Sequence, residues 1–211
     1  MSYNLLKGKK GLIFGALNEQ SIAWKVAERA VEEGAEIVLT NTAVSIRMGT
    51  ISKLAEKCNT IVVPADATSV GDLENLIDKT MEHFGGKFDF MLHSIGMPNV
   101  RKGRTYDDLD YDFLSKTLDI SAISFHKAIQ VARKKDAIND WGSIVALSYI
   151  AAQRTLYGYN DMADAKALLE SIARSFGYIY GREKHVRINT VSQSPTPTTA
   201  GSGVLGLGDL M

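Results

Sequence analysis

The chain has 211 residues, of which 45% are hydrophobic and 23% charged, and 24 basic residues balance 24 acidic ones. This length and composition predict one globular domain with a sizeable core, and the charge balance gives no reason to expect a nucleic acid or an anionic membrane as partner. The single cysteine, Cys58, excludes an intrachain disulfide. Because no apolar run resembles a signal peptide or a membrane span, we expect a cytoplasmic protein without a membrane partner.

Short apolar or β-branched runs alternate along the chain with longer amphipathic segments, as in strands that are each followed by a helix. The predicted strands are 11–15, 36–40, 60–64, 88–93, 142–147 and 187–191. The predicted helices are 21–33, 46–57, 69–83, 111–135 and 159–180. The last of them is expected to stop at Gly181. The alternation predicts an α/β fold with a doubly wound parallel sheet, the Rossmann fold, in strand order 3-2-1-4-5-6.

Ligands of a doubly wound sheet bind at the carboxyl ends of its strands, so the segments after the strands hold the candidate site residues. Gly15 permits a tight exit from the first strand, and Ser21 and Ile22 open the next helix. The amides at that helix start could hold a pyrophosphate, aided by the helix dipole. The usual G-x-G-x-x-G spacing is absent, and a plain turn with Ser21 as helix N-cap explains the segment equally well.

The segments after the second and third strands are candidates for contact with the adenosine half of a dinucleotide. Thr42 follows the second strand, where an acidic residue usually binds the ribose of NAD, and the absence of such a residue leaves NADH and NADPH both open. Asp66, beside Ala67, follows the third strand and could accept a hydrogen bond from the adenine amino group. A helix-capping aspartate is the alternative for Asp66.

The fourth strand ends in His93, which we expect to be a structural histidine because no second histidine or cysteine lies at metal spacing. Gly96 would let the backbone pass close to a cofactor. The candidate contacts after this strand are Ser94, Ile95 and Gly96. An acidic cluster further along lacks the glycine and glutamate of a calcium loop, so a helix start explains it and no metal is predicted. The cluster consists of Asp107, Asp108, Asp110 and Asp112.

The strongest signal is a tyrosine and a lysine after the fifth strand. Tyr159 and Lys166 are seven residues apart, which places both side chains on one face if the segment is helical. A nearby ammonium favours the phenolate form and helps a phenol to act as an acid. Two surface residues of an amphipathic helix are the alternative. The position at the carboxyl end of the sheet favours a catalytic pair, with Tyr149 upstream.

Taken together, these motifs resemble those of the short-chain dehydrogenase/reductase superfamily, in its divergent enoyl-acyl-carrier-protein reductase branch. That branch carries Y-x6-K with an extra upstream tyrosine, here Tyr159, Lys166 and Tyr149. Its other motifs span nearly the whole chain. They are G-x5-S-I-A from Gly15 to Ala23, H-S-I-G at 93–96, D-I-S at 119–121, L-S-Y at 147–149 and Y-N-x-M at 159–162.

The resemblance implies that a reduced nicotinamide, NADH with NADPH not excluded, delivers hydride to a trans-2-enoyl thioester on acyl carrier protein in fatty-acid elongation. It implies that Tyr159 stabilises the enolate oxygen, that Lys166 holds the nicotinamide ribose, and that Tyr149 and Met162 line the acyl pocket. Thr198 would lie near the cofactor phosphates, within a mobile loop at 192–208. The resemblance further implies a homotetramer packed through the two long helices.

Two features depart from the family pattern. The substrate-loop residues Gln193, Ser194, Thr196 and Pro197 differ from those of well-known members. The chain also ends at Met211, before the family's seventh strand, so we expect a single domain over 1–211 that is truncated relative to the family. Two alternatives stay open: another superfamily reductase acting on a ketone or a 3-oxoacyl thioester, and a non-catalytic NAD-binding protein.

Overall fold

The computed structural model describes residues 2–97, 105–156 and 158–193. Their strands form one six-stranded sheet in the order β3-β2-β1-β4-β5-β6, and every neighbouring pair is parallel. This confirms the predicted fold and strand order. The strands are β1 Lys10–Phe14, β2 Glu36–Asn41, β3 Val62–Pro64, β4 Phe88–His93, β5 Ile138–Tyr149 and β6 Arg187–Gln193.

The helices that connect these strands are mostly those that the apolar periodicity predicts. They are α1 Ile22–Glu32, α2 Ala43–Met48, α3 Ile51–Lys57, α4 Val70–Phe84, α5 Tyr111–Leu118, α6 Ser124–Lys134 and α7 Asp161–Lys184. Short 3₁₀ turns lie at Tyr106–Asp108 and Ile150–Ala152.

The prediction of one helix at 46–57 is wrong. The structure has α2 and α3, separated at Gly49 and Thr50. The Thr50 N–H donates a hydrogen bond to the carbonyl of Leu17 at 2.9 Å. This bond attaches the break to the loop after β1, a tertiary contact that helical periodicity does not encode.

The predicted long helix at 111–135 is present, but it contains a π turn at Asp119–Ile123 that joins α5 to α6. The π turn covers the D-I-S motif and turns Ser121 inward, where it is fully buried. The Ser121 hydroxyl accepts a hydrogen bond from the Met97 N–H at 3.1 Å and donates to the sulfur of Met162 at 3.6 Å. The irregular turn therefore links the end of β4 to α7, in keeping with the frequent place of π turns at functional sites.

The prediction of a helix at 159–180 is wrong at both ends. Helix α7 begins at Asp161 because its N-cap, Asn160, has φ 43° and ψ −128°, far from helical values. Gly181 does not stop the helix, which ends only where His185 takes a left-handed φ of 57°. A helical glycine costs only about 1 kcal/mol, and the residues after it are held by ion pairs of Glu183 with Arg133 and of Lys184 with Asp136, which offset part of this cost.

Two apolar layers cover the two faces of the sheet. The larger contains Leu12 and Phe14 of β1 with side chains of α4, α6 and α7, and the smaller contains Ile13 of β1 with side chains of α1 and α3. This alternation along β1 is that of a strand buried on both sides. Across 2–97, 105–156 and 158–193, no helix has the length and apolar character needed to cross a membrane.

Candidate active site

The turn that follows β1 requires the absence of a side chain at Gly15. Its φ is +90°, and a Cβ at this position would lie 1.9 Å from the carbonyl oxygen of Ser94, at the end of β4. The Gly15 N–H donates to the carbonyl of Thr40, at the end of β2, at 3.2 Å. Three strand ends thus meet here, and the bare backbone can approach a ligand closely.

Ser21 is the N-cap residue of α1, but its side chain makes no capping hydrogen bond. Its hydroxyl instead donates to the carbonyl of Asn18 at 2.6 Å and accepts from the Leu17 N–H at 3.1 Å, which folds the turn before the helix. Ser21 therefore occupies the N-cap position, as that alternative expects, but its hydroxyl folds the turn and does not cap an amide of α1. The first amides of α1, beginning at Ile22, are left uncapped by this side chain and suit an anion.

The ends of β2 and β3 hold the candidate adenosine contacts. Thr42 is the N-cap of α2, and its hydroxyl accepts a backbone N–H of the first turn at 3.2 Å. Asp66 is exposed, and its Oδ1 accepts from the N–H and the hydroxyl of Thr68 at 2.9 and 2.7 Å. The N-cap of α4 is Ser69, so the alternative of Asp66 as helix cap is wrong. Ala67 is buried beneath this loop.

A lysine that the sequence analysis missed ties this loop to the long helix. The Nζ of Lys127 donates to the carbonyl of Thr68 at 2.8 Å and to the Oδ1 of Asp119 at 2.7 Å. The loop that carries Asp66 is therefore held by α6 and by the π turn before it.

His93 lies fully buried at the end of β4, with its Nε2 2.9 Å from the Oγ of Ser124. Burial lowers the pKa of His93 to about 3, and the positive charge of Lys166 adds to this effect. The imidazole is therefore neutral, which agrees with the prediction of a structural histidine.

The segment after His93 meets the start of α7. A Cβ at Gly96 would lie 3.5 Å from the Cε of Met162 and 4.0 Å from the Nζ of Lys166. Ile95 packs against the larger apolar layer, and Ser94 contributes the carbonyl that lies against the β1 turn. The structure thus brings these predicted residues of β4 together with predicted residues of α7.

Tyr149 ends β5 and faces a second tyrosine. Its ring centroid is 4.8 Å from that of Tyr159, with the ring planes at 33°. Tyr149 is 4% exposed, and its hydroxyl has no hydrogen-bond partner in the part of the chain that the structure describes. Burial raises the pKa of Tyr149. A buried hydroxyl without a partner is costly, so this group is suited to a hydrogen bond with a ligand.

Tyr159 and Lys166 do not lie on two turns of one helix, as their spacing predicts. Tyr159 precedes α7, and its N–H donates to the carbonyl of Leu156 at 3.2 Å. The positive φ of Asn160 separates it from the helix. The Tyr159 ring lies against Tyr149, so the predicted geometric reason, a face shared with Lys166 on one helix, is wrong.

Lys166 is 6% exposed, and its Nζ donates to the carbonyl of Leu147 at 2.7 Å. Burial lowers the pKa of Lys166 to about 8. Burial, together with Tyr149, raises the pKa of Tyr159 to about 12. The prediction that the ammonium favours the Tyr159 phenolate is therefore wrong for this structure, because the cost of burying a charge dominates.

Two buried carboxylates of α7 were missed by the sequence analysis. Asp161 accepts a hydrogen bond from the Thr117 hydroxyl at 2.7 Å, which joins α5 to the chain just after Tyr159. Glu170 lies one helical turn after Lys166 and is 8% exposed. Its spacing of four residues from Lys166 is the signal that could have indicated it.

The remaining predicted residues lie elsewhere. Thr198 and the loop from 194 onward lie outside the described residues. Asp110 caps α5 by accepting the Phe113 N–H at 3.0 Å, which agrees with an acidic helix start. Among the described residues, no group of three His, Cys, Asp or Glu side chains is placed to hold a metal ion.

A doubly wound sheet with a glycine turn after β1, a Tyr149–Tyr159 pair and Lys166 on the Leu147 carbonyl is the arrangement expected of a dinucleotide-dependent reductase of the short-chain type. Comparison with known proteins narrows this class. A family model described as Enoyl-(Acyl carrier protein) reductase matches residues 15–211. The chain belongs to the enoyl-acyl-carrier-protein reductase family.

Individual relatives agree with the family model. Enoyl-acyl-carrier-protein reductase (NADH) 2 of Rhizobium meliloti is 33% identical over 95% of this chain and 74% of that protein. FabI of Rickettsia bellii is 37% identical over 96% of this chain and 76% of that protein. The crystal structure of a FabI–NADH complex from Alistipes finegoldii is 97% identical, with a TM-score of 0.97, over 99% of this chain and 74% of that one.

Proposed function

We propose that this chain reduces the carbon–carbon double bond of a trans-2-enoyl thioester carried by acyl carrier protein, with NADH as hydride donor, in fatty-acid synthesis. The observation that carries the proposal is the Tyr149–Tyr159 pair, whose ring centroids lie 4.8 Å apart at the carboxyl edge of a Rossmann-type sheet. Family membership and the likeness to a FabI–NADH complex support the reaction and the cofactor.

The residues at this edge fit a dinucleotide. The turn at Gly15 has no room for a Cβ, and the uncapped start of α1 suits a pyrophosphate. The Asp66–Ala67 loop suits the adenine, and the amine of Lys166 beside Gly96 suits the nicotinamide ribose. When bound, the cofactor supplies the hydride. The NADH-dependent relatives favour NADH, and the assignment of Thr198 to the phosphates stays a prediction.

Tyr159 stabilises the negative charge that develops on the thioester oxygen when hydride reaches the β-carbon. Its pKa of about 12 keeps the proton on the phenol at neutral pH, so the group donates a hydrogen bond. The buried hydroxyl of Tyr149 offers a second donor at the same edge, and Met162 lines the acyl pocket beside Gly96.

Lys166 holds the ribose and is itself held from β5. One of its hydrogens is used by the Leu147 carbonyl at 2.7 Å. A protonated lysine has two further donors, which can bind ribose hydroxyls. The backbone contact fixes the direction from which the amine reaches the cofactor.

We further propose a homotetramer assembled through the two long helices. Tyr111 of α5 and Tyr178 and Ile179 of α7 are large apolar side chains left exposed on these helices, which supports the proposal. Light scattering of the purified protein tests the oligomeric state, and a monomer would contradict it. The cytoplasmic location and the single-domain boundaries stay predictions.

The reaction is tested by the loss of reduced-nicotinamide absorbance with a crotonyl thioester, run separately with NADH and NADPH. We expect turnover with NADH, a decrease in kcat of about 10²-fold or more for Tyr159→Phe, and a Kd for NADH raised about tenfold for Lys166→Ala. Tyr3→Phe, at an exposed tyrosine, is the matched control and should be unchanged.

A folded, NADH-binding protein that reduces acetoacetyl but not crotonyl thioesters would instead be a 3-oxoacyl reductase. One that reduces neither would be a binding protein. Either outcome refutes the proposed reaction.

A further inference from the structure

Glu170 is a buried carboxylate that the proposed chemistry does not use. It lies on α7, one turn after Lys166, and is 8% exposed. Its Oε1 accepts a hydrogen bond from the hydroxyl of Ser148 at 2.7 Å, and its Oε2 accepts from the amide of Gln153 at 3.1 Å. The guanidinium of Arg174 lies 3.9 Å away and is itself 71% exposed, so it compensates the buried charge only weakly.

The two partners of Glu170 bracket Tyr149 in the chain. Ser148 directly precedes it at the end of β5, and Gln153 directly follows the 3₁₀ turn Ile150–Ala152. One carboxylate therefore binds both ends of the short segment that carries the tyrosine. Lys166 adds a third attachment just upstream, through the carbonyl of Leu147.

The β5–β6 pairing holds the backbone of Tyr149 opposite Gln193, but Tyr149 is the last residue of β5 and its side chain has no polar anchor among the described residues. Its hydroxyl makes no hydrogen bond to the described residues, so its placement depends on its backbone and on the Tyr159 ring. The burial of a carboxylate with two hydrogen bonds is costly to folding, and burying an ion for stability alone is rarely favourable. The two hydrogen bonds of Glu170 therefore point to a role in the segment that it binds.

We propose that Glu170 is a positioning residue, which fixes the 148–153 segment so that Tyr149 meets Tyr159 and presents its hydroxyl to the thioester. This inference rests on the proposed function. It predicts that loss of Glu170 impairs use of the enoyl thioester while NADH binding is preserved. The β1 turn is held by other contacts, and the Leu147 carbonyl that binds Lys166 is held by the pairing of β5 with β6.

The experiment compares Glu170→Ala with Glu170→Gln, using a crotonyl thioester for turnover and NADH fluorescence for cofactor binding. For Glu170→Ala we expect kcat/KM for the thioester to fall about tenfold or more, and the Kd for NADH to stay within about twofold. Glu170→Gln keeps the shape and one acceptor for Ser148, so it should recover part of the loss. Arg174→Ala, at the exposed neighbour, should stay within about twofold of wild type.

A double-mutant cycle that combines Glu170→Ala with Tyr149→Phe separates a loss of Tyr149 positioning from a general weakening of the fold. If Glu170 acts through the Tyr149 hydroxyl, Glu170→Ala should cost much less in the Tyr149→Phe background than in wild type. Circular dichroism checks that each variant folds. If Glu170→Ala does not fold, Ser148→Ala and Gln153→Ala each remove one of its hydrogen bonds and take its place in the cycle.

Equal losses in thioester use and NADH binding, additive effects in the cycle, or unchanged kinetics in Glu170→Ala would each overturn the positioning role. These outcomes are distinct from a failure of the proposed function, in which the wild-type protein itself would not reduce an enoyl thioester.

Discussion

Replacing Lys166 with methionine should change how the folding stability of the protein depends on pH. The lysine is 6% exposed and donates to one backbone carbonyl at 2.7 Å. Burial lowers its pKa from 10.5 to about 8 in the folded protein. Methionine has a similar length and no charge, so the variant removes the titration while largely filling the same space.

The direction follows from proton binding. Between the folded pKa of about 8 and the ordinary value of 10.5, the unfolded chain binds more protons at this site than the folded one. The free energy of unfolding therefore rises with pH across this window, and the cost of the buried ammonium is fully present below it. Between about pH 7 and about pH 9.5, the wild-type protein should gain about 2 kcal/mol relative to the variant.

The assay is urea denaturation of both proteins at several pH values in that range, without cofactor. The quantity compared is the difference between the free energies of unfolding of the two proteins. The Cys58 thiol and the tyrosines contribute equally to the pH dependence of both proteins, so their contributions cancel in this difference. Lys53→Met, at an exposed lysine of α3, is the matched control and should show a flat difference. A difference for Lys166→Met that stays flat or falls as the pH rises would refute the reasoning, because it would mean that the amine is solvated.

Three further substitutions test the contacts around the site. Gly15→Ala should destabilise the fold by more than about 2 kcal/mol and weaken NADH binding, because its Cβ would meet the Ser94 carbonyl at 1.9 Å, as checked by urea denaturation and titration. Thr117→Val should lower the free energy of unfolding by about 1–2 kcal/mol through the lost bond to Asp161, and Thr117→Ser should restore it. Lys127→Met should raise the Kd for NADH but not for reduced nicotinamide mononucleotide, which has no adenine; equal changes for both would contradict a role at the adenine loop.

The order and type of the elements could be predicted from the sequence because they depend on local apolar patterns. The strand at 88–93 is predicted to the residue, since its apolar run is bounded by turn residues on both sides. Interruptions within helices that depend on tertiary contacts could not be predicted in this way. The division between α2 and α3 depends on a hydrogen bond to Leu17, and the π turn at Asp119–Ile123 leaves no mark in the apolar periodicity.

The site shows a similar limit, because residue types could be predicted while their environments could not. Tyr149 and Tyr159 meet at the carboxyl edge and Lys166 binds Leu147 nearby, but the direction of the Tyr159 pKa is reversed, since burial is invisible in the sequence. Glu170 with Arg174 four residues on looks like an exposed helical ion pair, whereas the carboxylate is buried. Its role appears only once β5 is packed against α7.

Helix α7 divides into two parts with different tasks. Its first half buries three charged side chains, Asp161, Lys166 and Glu170, and the last two bind the end of β5. Its later turns bury apolar side chains, among them Phe176 and Tyr180, in the larger core layer. Because desolvated charges are costly and apolar burial is favourable, the helix is held mainly by its apolar side chains, which include Leu169 in the first half. Substitutions of Lys166 and Glu170 should therefore change chemistry, and that of Lys166 also the pH dependence of stability, while α7 stays folded.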